Sequence, residues 1–164
     1  MLLNQRGTIA AEEAEKHVHN REIWFGDAAS PSAGTHEADV DSLTAFRVDS
    51  GNTVWGTAIQ VLGSSDTPVV AGMAKYDCHK VLILDAERTG LHYLRFTFGA
   101  SEAAGITAGT YTVIALNISS AMRSAAVIFL MRRANSTDKL WVNCKTGADT
   151  GWVDFVFGLH EYKY

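Results

Sequence analysis

Between Leu91 and Phe98 the side chains alternate without a break. His92, Leu94, Phe96 and Phe98 fall on one side of an extended chain, and Leu91, Tyr93, Arg95 and Thr97 fall on the other. A period of two marks a strand with one buried face; wound into a helix, the same residues would scatter their aromatic rings around the axis. The pattern recurs downstream. Thr112, Ile114, Leu116 and Ile118 share a side within Thr110 to Ile118, Val127, Phe129 and Met131 oppose Ala126, Ile128 and Leu130, and Val153, Phe155, Phe157 and Leu159 form an inward row. Lys80 to Asp85 is instead a nearly continuous apolar run, which predicts a strand covered on both faces. Leu140 to Cys144 and Trp152 to Phe157, joined through Gly147 to Gly151, are expected to form a closing hairpin with Trp141 and Trp152 paired across it.

Between these segments come Gly, Asp, Asn and Ser clusters, as at Asp49 to Asn52 and Gly63 to Pro68. About eight short strands without long helical patterns between them predict an all-β fold, an antiparallel two-sheet β-sandwich of jelly-roll-like type. Residues 43–164 are assigned to that sandwich, and residues 1–42 to an N-terminal arm and a long surface loop. Good helix formers occupy Ala10 to Lys16, but their apolar stripe is thin. Ile23, Trp24 and Phe25 then interrupt a polar stretch with three large apolar side chains that need a covering surface. Either they dock the arm onto another protein or they close one end of the chain's own core. With 164 residues, a core can form without staples, since a chain near that length buries roughly 70% of its unfolded surface. The two cysteines, Cys78 and Cys144, are read as small buried hydrophobes.

Charge and motif content narrow the function classes. The net charge is −4, and the one concentrated basic spot is Arg132-Arg133 at the end of an apolar run, so no nucleic-acid partner is expected. The longest apolar run, Ala125 to Met131, is far short of the ~20 residues of a membrane-spanning helix, and no membrane partner is expected. The first six residues turn polar too soon for an export leader. His17 and His19, with Glu22 following, approach a metal motif, but their spacing is short and no later ligand motif completes it. They are assigned to a solvated arm, and Glu37, Asp39 and Asp41 to a solvated acidic loop. No Gly-x-Ser-x-Gly elbow, phosphate loop or dinucleotide fingerprint occurs. The chain is therefore expected to be no enzyme, with no catalytic residues, no metal ligands and no cofactor. Trp141 and Trp152 are the residues through which a sandwich of this kind would stack on sugar rings.

A family likeness rests on Val54-Trp55-Gly56-Thr57, the Leu62 to Pro68 turn, His79-Lys80-Val81-Leu82-Ile83, Lys139-Leu140-Trp141-Val142 and the ending Asp154 to Tyr162. In these landmarks, which span most of the chain after residue 50, the sequence resembles small structural proteins of tailed bacteriophages. The resemblance implies a virion protein of the capsid-decoration or cement kind, assembled in the host cytoplasm and carried on the capsid surface. Its implied partners are further copies of itself, a trimer being favoured, and the major capsid protein. A head-fibre or tail-appendage domain that binds host-surface glycan is the alternative. The resemblance carries over no catalytic residue.

Overall fold

The computed structural model describes residues 23–25, 45–62, 74–119 and 126–162. The candidate ligands His17, His19 and Glu22, the acidic residues Glu37, Asp39 and Asp41, most of the arm and loop, and the turn after Leu62 lie outside the described residues. The strands are β1 (Ile23–Phe25), β2 (Phe46–Asn52), β3 (Ile59–Leu62), β4 (Lys75–Ala86), β5 (Gly90–Gly99), β6 (Tyr111–Ile118), β7 (Ala126–Ile128), β8 (Ala134–Asn135), β9 (Lys139–Thr146) and β10 (Gly151–Tyr162). One short helix, α1 (Glu102–Ala108), joins β5 to β6. The described chain is thus all-β apart from those roughly two turns of helix.

The alternating segment becomes β5, paired antiparallel with β6 on one side and with β9 on the other. In register, Leu94 faces Ile114 and Cys144 while Phe96 faces Thr112 and Val142, so three strands send their apolar rows to the same side. The path of the sheet runs β6-β5-β9-β2-β10-β4-β7, with β1 on β10, β3 on β9 and β8 on β4. These strands form one continuous mixed sheet that curls on itself as a half-barrel.

Strand β2 joins the two halves of the sheet. Its Phe46–Ser50 part pairs antiparallel with β10, and its Ser50–Asn52 part pairs parallel with β9. Hence the sheet is not purely antiparallel, and the expected closing hairpin does not form: β9 and β10 follow one another in the chain, but β2 lies between them. The turn chemistry of Gly147 to Gly151 brings the chain back without dictating which strand it meets. Ser50 makes the seam specific, since its Oγ donates to the Gly151 carbonyl at 2.9 Å and accepts from the Gly151 N–H at 2.8 Å.

The concave face holds the core. Val153, Phe155, Phe157 and Leu159 of β10, Leu94 and Phe96 of β5, and Leu140, Val142 and Cys144 of β9 are fully buried. Phe155 tilts against Phe46 at 5.9 Å and meets Phe96 edge-on at 6.3 Å between ring centroids. Phe129 closes on Phe96 at 5.1 Å. Both cysteines are free and buried, as read from the sequence.

Two irregularities in β4 re-phase its alternation. Gly158 pairs with Lys80 but Leu159 with Cys78, and Asp154 pairs with Asp85 but Phe155 with Ile83, so His79 and Leu84 are extra residues on the β4 side. The core-facing residues of β4 accordingly run Tyr76, Cys78, then Val81, Ile83, then Ala86. The run at Lys80 to Asp85 is therefore a segment bounded by bulges: Val81 and Ile83 are buried, whereas Leu82 and Leu84 are half-buried.

Helix α1 is capped by Ser101, whose Oγ accepts from the Ala104 N–H at 3.2 Å, and ends at Gly109 in a left-handed conformation with φ 68°. It lies so close to β5 that a Cβ on Gly105 would stand 2.3 Å from the Phe98 carbonyl oxygen.

Two stability predictions follow from this packing. Phe96→Ala removes a ring that touches Phe129 and Phe155 in a fully buried site, and chemical denaturation should record a loss of about 3–5 kcal/mol. Gly105→Ala should also destabilise, because displacing the helix costs about 1–3 kcal/mol against a helix-propensity gain of about 1 kcal/mol at most.

Candidate functional site

The backbone of Ile23, Trp24 and Phe25 is a strand of the chain's own sheet, with Ile23 opposite Leu159, Trp24 opposite Gly158 and Phe25 opposite Phe157. Trp141 and Trp152 are not brought together. Trp141 is on β9, half-buried, with its Nε1 buried and lacking a hydrogen-bond partner. Trp152 is on β10 opposite Asp49, and the Arg47 guanidinium lies 3.8 Å over its ring. Asp154 holds that guanidinium in place by two 2.7 Å hydrogen bonds, one to Nε and one to Nη2. One face of the Trp152 ring is thereby already occupied.

On the convex side of β5 and β9 a second aromatic group forms around cations. Arg95 is buried and donates to Asn143 Oδ1 and, at 2.9 Å, to Glu102 Oε1, while Asn143 donates to the same Glu102 oxygen at 2.8 Å. Trp55 lies over Arg95 at 4.4 Å, and the Lys145 ammonium sits between the Trp55 and Tyr93 rings at 5.2 and 4.8 Å. Arg95, Glu102 and Asn143 are thus tied to one another within the chain, with the Trp55 ring over the guanidinium.

The ends of the sheet differ in character from its middle. At one end, β7 pairs with β4 alone among the described residues. Ile128 there is 72% exposed and Leu130, just beyond the strand, 92% exposed. At the other end, β6 pairs with β5 alone among the described residues and exposes Tyr111 and Val113. An open strand edge carrying large aliphatic side chains is a template for another polypeptide.

A group that the sequence reading missed lies on the side of β4 and β10 opposite the core. Asp77 and His79 come from β4, and His160 and Tyr162 from β10. The Tyr162 hydroxyl donates to Asp77 Oδ2 at 2.5 Å, and Asp77 Oδ1 stands 3.6 Å from His160 Nδ1. The His79 and His160 rings stack at 3.6 Å between centroids and 7° from parallel. Arg133 covers the Tyr162 ring at 3.9 Å. Within each strand the signal was a same-face pair, Asp77 with His79 and His160 with Tyr162, but joining the pairs requires the long-range register of β4 on β10. At the base of the sheet, a recess of about 610 Å³ opens between Glu87–His92 and Thr146–Asp149. Its one charge pair, Arg88 with Asp149, is exposed and 3.8 Å apart.

No protein-family model matches the chain. No curated protein matches it either. Among solved structures it is similar to one described as the crystal structure of PirA, at 14% identity over 76% of this chain and 97% of that one, with a TM-score of 0.37. A likeness that slight carries no argument about what this chain does.

Burial shapes how the chain responds to alkali. It pushes the Tyr162 hydroxyl up from 10.0 to about 12, helped by the hydrogen bond to Asp77 and opposed by Arg133. Burial likewise pushes the Cys144 thiol from 9.0 to about 12, and moves Tyr76 and Cys78 further in the same direction. Each group keeps its proton longer folded than unfolded, so its contribution is complete below the unfolded value and is lost as pH climbs through the folded one. Denaturation midpoints should therefore fall between pH 9 and 12, and Tyr162→Phe should flatten the part of that fall above pH 10.

Proposed function

We propose that the chain is a structural subunit of a tailed-phage virion, a capsid-decoration or cement protein that packs against copies of itself and against the major capsid protein. The observation that carries this reading is the β7 edge, which among the described residues pairs with β4 alone and from which Ile128 and Leu130 are exposed, in a sheet whose interior rows are fully buried. Such an edge is a liability for a free chain and an asset for one that spends its working life against neighbours. A closed cyclic oligomer, a trimer in the first instance, would cover the β7 edge of every protomer. Under this reading the curled sheet is a two-walled, jelly-roll-like sandwich, with β6-β5-β9 as one wall and β2-β10-β4 as the other. Its working location is the capsid surface, reached after assembly in the host cytoplasm, and its function requires no catalysis.

A second reading, a head-fibre or tail-appendage domain that binds host-surface glycan, is favoured by the Trp55, Tyr93 and Lys145 group on the convex face. Binding of the isolated chain to a glycan array, lost in Trp55→Ala, would favour it over the first.

The cement reading is tested by sedimentation and by particle attachment. The native chain should sediment as a closed oligomer and bind to particles lacking it, whereas the double variant Ile128→Lys, Leu130→Glu should be a folded monomer whose attachment falls at least tenfold. A native chain that is monomeric at all concentrations and does not bind particles would sink the reading.

A further inference from the structure

We infer that Asp77, His79 and His160 form a binding site for a divalent transition-metal ion of the zinc class, with the remaining coordination position left to water. This goes beyond the assembly reading and does not depend on it.

The donor set comes first. One carboxylate oxygen and one nitrogen from each imidazole lie within 4.8 Å of one another, on two adjacent strands of a rigid sheet. Two imidazoles and a carboxylate suit zinc, cobalt or nickel, and three protein ligands with an open fourth position is a familiar zinc arrangement. Magnesium and calcium take oxygen ligands almost exclusively, so this set selects against them.

The backbone explains why His79 is there. It is the extra residue of the bulge between Lys80 and Cys78, and bulges re-aim side chains that a regular strand would space differently. Cys78, between the two ligand positions of β4, points the other way into the core and makes its sulfur contact with the Lys80 carbonyl.

The carboxylate supplies an independent argument. Asp77 is 9% exposed, and among the described residues its one ion-pair contact is His160, at 3.6 Å. A carboxylate so placed is stabilised by a cation beside it. Tyr162 binds Oδ2 and so orients the group with Oδ1 toward His160, the way an outer-shell donor fixes a metal ligand. Arg133, stacked on the far side of that tyrosine, holds the phenol in place.

Loading has one geometric requirement. Because the two rings lie 7° from parallel at 3.6 Å, their planes meet only far from the site, and each imidazole must swing about its χ2 for the lone pairs to converge. Ligand separations then contract to about 3.3 Å, as tetrahedral bonds of about 2.0–2.1 Å require.

The test uses the full chain, stripped with a chelator and titrated with zinc chloride in a calorimeter, and with cobalt chloride for its visible ligand-field bands. One equivalent should bind per chain, with tetrahedral cobalt bands, and excess magnesium should not displace it. Tyr162→Phe should weaken zinc by about tenfold or more, and Asp77→Asn or His160→Asn by more than about a hundredfold, beyond what outer-shell losses reach. Circular dichroism of the metal-free variants checks that they fold. Should the ligand variants fail to fold, the Tyr162→Phe titration and imidazole NMR of the native chain decide, since zinc should shift the resonances of His79 and His160 and leave the other four histidines unmoved. Absence of saturable uptake, displacement by magnesium, shifts confined to other histidines, or unchanged affinity in Tyr162→Phe and the ligand variants would each overturn the inference.

Discussion

Three phenylalanine rings from distant parts of the chain meet on the concave face, and the rest of the structure is arranged around their contact. Phe46 comes from β2, Phe96 from β5 and Phe155 from β10, with Phe155 touching both of the others. Each ring is pinned because its strand neighbours are also buried, so none can leave the cluster without opening a void. Curling of the sheet is the consequence. A flat sheet would hold β5 and β10 several strands apart; only by curling can the two rows face each other and exclude water.

How far this was readable from sequence depends on whether a local period was enough. It was enough to place the inward rows of β5, β6 and β10, from His92 to Phe98, Ile114 to Ile118 and Val153 to Leu159, which are buried, although Arg95, Thr97 and Val156 are buried on the opposite side too. It failed in β4, because a bulge at His79 and another at Leu84 each invert the phase, and an alternation that inverts twice within six residues reads as an unbroken apolar run. It failed also for partnership. Turn residues between β9 and β10 indicate a reversal, but insertion of β2 between them is decided by Phe46, Val48 and Ser50, some hundred positions earlier. The Asp77, His79 and His160 cluster was invisible for the same reason: its members belong to two local pairs that only the fold superimposes.

The two faces of the sheet carry different information. The concave face is apolar except at His92, and most of its composition follows from volume and hydrophobicity. On the convex face, every charged group that is substantially buried has a specific companion: Arg95 has Glu102 and Asn143, and Asp77 has Tyr162 and His160. These polar groups cost desolvation, which hydrogen bonds of this kind offset only when geometry is good. They are the positions at which the sequence departs from what packing alone would choose, and so the positions at which to look for chemistry.

The placement of β2 also bears on how the molecule comes into being. Arg47 must find Asp154 and Ser50 must find Gly151, contacts separated by 107 and 101 residues. A ribosome emitting this chain releases β2 well before β10, so the seam cannot close until β10 has emerged. Until then β2 and β5 wait with their aromatic rows wet, and topologies dominated by such distant pairings reach the native state slowly. The chain is therefore expected to be most vulnerable to self-association in the interval before β10 docks on β2, while those aromatic rows are still exposed.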